Sequence, residues 1–97
     1  MAIAVYFHPK GMTLEQFNET HRRLADVGAA EPPGRIHHSC FGDDGDLSVY
    51  DVWTSAEEFQ AFGATLMPIL AEIGIDPGEP SIMAIHRLDQ ISHASAS

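Results

Sequence analysis

Asp51 and Trp53 lie two residues apart in Val49-Tyr-Asp-Val-Trp53, a stretch that alternates with a period of two. Successive side chains on a strand point to opposite faces, so this carboxylate and this indole share a face. Adjacent histidines, His37 and His38, precede them, and His86 follows near the end of the chain. An imidazole held beside a carboxylate is a general base that works near neutral pH. His38, His86 and Asp51 are therefore the candidate catalytic groups, with Tyr6, His8 and Trp53 as candidates for lining a ligand cavity. Only one of His37 and His38 can face inward. The pattern favours His38, which shares a face with Ile36 and Cys40.

Other chemistries find less support in the residues. The chain has 6 histidines, which with carboxylates would suit zinc, iron or copper. No pair has ligand-like helical spacing, and His37 and His38 point apart, so no metal site is expected. His21 falls within a helical apolar stripe, either as a boundary residue beneath the helix or at the rim of a cavity. Cys40 is the single cysteine, with no base or basic group beside it in sequence, which argues against both a disulfide within the chain and a nucleophile. The loop Gly42-Asp-Asp-Gly45 is acidic and would repel phosphate.

Charge narrows the partners. The 97 residues carry 14 acids against 5 bases, a net charge of −9. Nucleic acids and anionic membrane surfaces both require a positive patch. Only Arg22-Arg23 forms a pair of bases, and it reads as a solvated helix face. No run approaches the ~20 apolar residues needed to span a bilayer. Met1 to His8 lacks a basic leader and reads as a strand, so a cytoplasmic location is the expectation.

The elements that must position these groups follow from periodicity. Ile3, Val5 and Phe7 alternate with Ala4, Tyr6 and His8 as a first strand. Thr13 and Gln16 form a capping box that opens a helix through Leu14, Phe17, His21 and Leu24, with Gly28 as its stop. A second strand runs from Arg35 to Phe41, a turn spans Gly42 to Asp46, and a third strand runs from about Leu47 to Thr54. Ser55 and Glu58 make a second capping box, opening a helix through Phe59, Phe62, Leu66, Leu70 and Ile73 that Pro68 should kink and Gly74 should end. Ser81 to Leu88 is a fourth strand, and residues 92–97 read as a frayed tail after a single domain of residues 1–91.

A β-α-β-β-α-β order is the ferredoxin-like arrangement, an α+β fold. Right-handed crossovers give an antiparallel four-stranded sheet in the order 4-1-3-2, with both helices on one face. Both sheet faces carry apolar side chains, and a bare apolar face is not left in water. A homodimer joined through that sheet face and the edge strands would enclose a cavity, forming a dimeric α/β barrel. The expected helix-facing sets are Ile3-Val5-Phe7, Tyr50-Val52 and Met83-Ile85. The other face then receives Tyr6 and His8, Val49, Asp51 and Trp53, and Ile82, Ala84 and His86. The reason is Asp51, since an unpaired carboxylate pressed against the helices would be costly. On this reading His38 of one subunit and His86 of the other flank each cavity, with Asp51 between.

Tyr50-Asp-Val-Trp-Thr-Ser-Ala-Glu-Glu-Phe-Gln-Ala-Phe62 resembles the third-strand-to-second-helix junction of the dimeric α/β-barrel superfamily, which includes antibiotic-biosynthesis-monooxygenase-like proteins and haem-degrading monooxygenases. Pro33-Gly-Arg-Ile-His-His38 and Leu66-Met-Pro-Ile-Leu-Ala-Glu-Ile-Gly74 resemble a small bacterial subgroup of it. The resemblance implies a cofactor-independent monooxygenase-like enzyme acting on a small aromatic or polyketide-like compound, with His38 or His86 as base. The alternative is a non-catalytic small-ligand-binding protein of the same fold. Haem-degrading relatives take an axial histidine from the second helix, where this chain has none. No cofactor is therefore expected.

Overall fold

The computed structural model describes residues 1–89. Its elements are β1 (Ile3–Phe7), α1 (Leu14–Asp26), β2 (Arg35–Asp43), β3 (Asp46–Trp53), α2 (Ala56–Ile73) and β4 (Ser81–Ala84). The four strands form one antiparallel sheet in the order β2-β3-β1-β4, the ferredoxin-like order read from the sequence. The expectation of a frayed tail at residues 92–97 lies outside the described residues.

Local sequence explains the helix ends. The Thr13 hydroxyl accepts the Gln16 N–H at 3.1 Å, and the Gln16 side chain accepts the Thr13 N–H at 3.0 Å, so the capping box is complete. The Asp44 carboxylate, in the β2–β3 turn, accepts a further free helix donor from Leu14 at 2.8 Å. At the other end Ala29 N–H reaches Leu24 C=O at 2.8 Å around Gly28, which takes a left-handed φ of 74°. Ser55 caps α2 by accepting the Glu58 N–H. The Glu58 carboxylate does not reciprocate to the Ser55 backbone; it takes the hydroxyls of Thr54 and Ser55 instead. The helix continues through Pro68 to a left-handed Gly74. Arg22 is solvated as expected and Arg23 is half-buried; both are bonded to Glu19, whose carboxyl they hold down to about 2, and Arg23 also reaches Glu72 on α2.

The faces of the sheet depart from expectation. Residues directly opposite one another on antiparallel strands share a face. Ile3 pairs with Trp53, Val5 with Asp51 and Phe7 with Val49. Ile3 and Val5 pack under the helices as expected, so Val49, Asp51 and Trp53 lie under them too, and Tyr50 and Val52 face away. The fourth strand is reversed in the same sense: Ile82 and Ala84 pair with Val5 and Ile3, Met83 lies on the open face, and the strand ends at Ala84. The argument from Asp51 fails because the carboxylate is paired. Buried at 4% exposure, it is bonded to His38, which removes most of the cost of placing it there.

Two apolar clusters fill the space between sheet and helices. Ile3, Val5, Leu24, Trp53 and Phe62 form one, and Met12, Leu47, Leu70 and Ile75 the other, with Leu66 packed against both. The indole of Trp53 is fully buried, its ring centre 5.6 Å from that of Phe59 and 5.3 Å from that of Phe62. It lies beneath the helices of its own subunit, not in a chamber between two sheets.

Candidate functional site

The stripe of α1 brings Phe17, Thr20, His21 and Leu24 over the sheet, and β2 and β3 bring His38 and Asp51 up from beneath. His38 pairs with Asp51 across the strands, so both side chains rise on the same side. The His38 Nδ1 lies 2.6 Å from Asp51 Oδ1, and its Nε2 lies 3.0 Å from His21 Nε2. Phe17 flanks both imidazoles, stacked on His38 with ring centres 5.9 Å apart and tilted against His21 at 4.5 Å. The result is a chain of three titratable groups, Asp51–His38–His21, running from the buried sheet to the helix.

Proton counting limits its states. The ionised carboxylate only accepts, so His38 donates through Nδ1–H. One proton must then lie between the two facing Nε2 atoms. Either neutral His21 donates it to neutral His38, or a His38 imidazolium donates it to His21. Burial pushes the His21 pKa below its ordinary value, the charges of His38 and Arg35 push it further, and Asp51 opposes them.

The chain of groups opens into a narrow cavity between sheet and helices. It measures about 60 Å³ as traced by the centre of a water molecule, within an envelope of about 540 Å³ that reaches solvent. Its walls are almost entirely apolar, with Phe7, Met12, Leu24, Phe62, Leu66 and Leu70 prominent. Polar groups enter only from Thr20, His21, Arg35, His38 and Asp51. A largely apolar pocket with a few convergent polar groups is the usual form of a small-molecule site.

The residues singled out from sequence separate into three places. His38 and Asp51 come together and line the cavity. Tyr6 and His8 belong to the opposite face of the sheet, where Tyr6 bonds Ser48 at 3.0 Å and His8 bonds Asp46 at 2.7 Å. His86 is exposed and lies beyond the end of β4. Both ring nitrogens of His38 are engaged within its own chain, so none is left for a partner's His86. Trp53 packs directly against Leu24 and Phe62 behind the cavity wall, and its indole N–H is buried without an acceptor among the described residues.

Two site residues escaped the sequence argument. His21 stood in the α1 stripe but had no visible partner in sequence. Arg35 should by alternation face away from His38. A β-bulge intervenes: Arg35 pairs with Trp53 and His37 with Val52, leaving Ile36 as an extra residue. That insertion turns Arg35 inward, with its guanidinium carbon 5.5 Å from the centre of the Phe62 ring. Among the described residues no group of three His, Cys, Asp or Glu side chains is placed to hold a metal ion. The Cys40 thiol is pushed up by burial and stays protonated.

No protein-family model matches the chain, and no curated protein matches it significantly. Solved structures do. SnoaB from Streptomyces nogalater, a cofactor-independent oxygenase, is 18% identical with a TM-score of 0.60, over 90% of this chain and 93% of that one. A candidate antibiotic biosynthesis monooxygenase from Chloroflexus aurantiacus is 14% identical with a TM-score of 0.65, over 95% and 100%. Another from Deinococcus radiodurans is 10% identical with a TM-score of 0.60, over 96% and 100%. The chain shares the ferredoxin-like fold of these proteins.

Proposed function

We propose that the cavity beneath the helices is a proton-abstracting site, and that the protein is a cofactor-independent monooxygenase-like enzyme acting on a small, largely apolar compound with an acidic hydroxyl. The observation that carries this reading is the Asp51–His38–His21 chain ending in an apolar cavity. The fold shared with SnoaB supports it.

The base is assembled from all three groups. A substrate hydroxyl gives its proton to His21, His21 passes its Nε2 proton to His38, and the positive charge comes to rest beside Asp51. The substrate is left as an enolate. Its electron pair forms a carbon–oxygen bond to dioxygen, which is reduced to the peroxide level, and the relay returns the proton to give a hydroperoxide. Loss of the remaining C–H proton breaks the O–O bond and releases water. One oxygen atom ends as a new carbonyl and the other as water, so dioxygen is the only oxidant used. Apolar walls favour this sequence by keeping water from the anion.

The working unit of this proposal is a cytoplasmic homodimer. The open face of the sheet presents Phe41 at 49% exposure and Met83 at 56%, around Tyr6 and Tyr50. Such a face is covered by a second copy packed sheet to sheet. No helix among the described residues is long and apolar enough to cross a membrane.

Oxygen uptake on a panel of enolic and phenolic compounds, with chelator present, tests the activity. Turnover should fall by about 10²–10⁴-fold in His21→Asn and His38→Asn. Unchanged turnover in both would refute the relay. The narrowness of the cavity favours one other reading, a binding protein without turnover. Ligand that raises the melting temperature and is recovered unconsumed would establish that alternative.

A further inference from the structure

Arg35 is the unusual cation of this chain. Of its 5 basic residues, Arg22, Arg23 and Arg87 are each bonded to carboxylates, and Lys10 is fully solvated on the surface. Arg35 is partly buried, lines the cavity, and has no carboxylate within ion-pair reach among the described residues. In a protein with 14 acids that is an unexpected place for a cation without an anion. Its one side-chain hydrogen bond among the described residues runs from Nη2 to the Ala30 carbonyl at 3.1 Å. The Phe62 ring holds the guanidinium plane from below. Asp51, the nearest acid by its influence, is already committed to His38.

A guanidinium has five N–H donors, and among the described residues only Nη2 of Arg35 has an acceptor. The strand is bulged at Ile36 in the one way that delivers this side chain inward. Bulges of this kind re-aim side chains beside functional sites. Arg35 and His21 line the same cavity, so the cation and the base face one ligand space.

We propose that Arg35 is an oxyanion receptor and that the ligand of this cavity is a single-ring aromatic compound bearing an anionic oxygen. The proposal rests on the reading of the cavity as the ligand site, but not on oxygen chemistry taking place there. At about 60 Å³ the cavity is small for any aromatic compound, so a single flat ring is the one its walls of Phe7, Leu24, Phe62 and Leu66 admit with the least movement of the helices. The anionic oxygen lies on Arg35, and the ring edge or a second hydroxyl lies toward His21. A carboxylate and a phenolate present the same charged oxygen, and both fall within the proposal.

Calorimetric titration with benzoate, 4-nitrophenolate above its own pKa, benzamide and inorganic phosphate tests this, together with ¹⁵N spectra of the imidazoles. Benzoate or the phenolate should bind at least about tenfold more tightly than benzamide and shift the His21 and His38 signals. Whichever of the two binds more tightly identifies the oxyanion. Arg35→Gln should remove that preference, weakening benzoate or phenolate binding far more than benzamide binding, and Arg35→Lys should retain part of it. Melting curves of both variants establish that they are folded. Equal binding of benzoate and benzamide, or full competition by phosphate, would overturn the proposal while leaving the cavity reading in place. If no aromatic probe perturbs the imidazoles, both fail.

Discussion

The proposed chemistry rests on three side chains held in one hydrogen-bonded chain, His21, His38 and Asp51. The His21 pKa is lowered in the folded chain, chiefly by burial. The unfolded chain takes up that proton near pH 6.5, where the folded chain resists it, so stability is lost as pH falls through 6.5. The loss ends once pH drops below the depressed folded value. Urea midpoints between pH 7.5 and 5 should therefore decline more steeply in the wild type than in His21→Asn, and parallel lines would refute the assignment. Asp51→Asn removes a buried carboxylate's charge-assisted bond and should cost about 1.5–3 kcal/mol in denaturant unfolding. Its effect should be strongly non-additive with that of His38→Asn, since the two share one interaction. The cross-strand relation of His38 and Asp51 was legible from the hairpin. The link to His21 was not, because a helix stripe says which residues look down and not what they meet.

Glycines and caps carry the predictions at the level of elements. Gly34 and Gly28 both take left-handed backbone, with φ of 87° and 74°. A side chain on Gly28 would meet nothing, whereas one on Gly34 would lie 2.6 and 2.7 Å from the Glu58 carboxylate oxygens. Gly28→Ala should cost about 1–2 kcal/mol from conformation alone. Gly34→Ala should cost only slightly more, because the flexible Glu58 carboxylate can move aside at the expense of its bonds to Thr54 and Ser55, and a much larger thermal shift would contradict this. Thr13→Ala removes the α1 cap and should cost about 1 kcal/mol. Both helix starts and both glycine stops were readable, because capping chemistry is local. The bulge at Ile36 was not: an extra residue in one strand is defined only by the strand it pairs with.

The proposed dimer face and the candidate site lie on opposite sides of the sheet, which separates their tests. Light scattering should give about twice the 10.6 kDa chain mass for the wild type. Met83→Asp places a charge on the open face and should shift the mass toward one chain. Because the cavity lies under the helices of each subunit, aromatic binding should persist in that variant. Loss of binding with dissociation would instead restore a site shared between subunits.

The alternation of β3 and the spacing of α1 and α2 dictate the elements, their order and thus the ferredoxin-like sheet, since turns, caps and periodicity act over a few residues. They also dictate that Val49, Asp51 and Trp53 travel together. Which way that set points is a different matter. A period of two is unchanged when the strand is turned over, and the cost of burying Asp51 depends on a partner supplied by another strand. Only the pairing of β1 with β3, and of His38 with Asp51, put the carboxylate and the indole beneath the helices. Tertiary structure alone therefore moved the candidate site from the expected space between two sheets to the space beneath the helices of one chain.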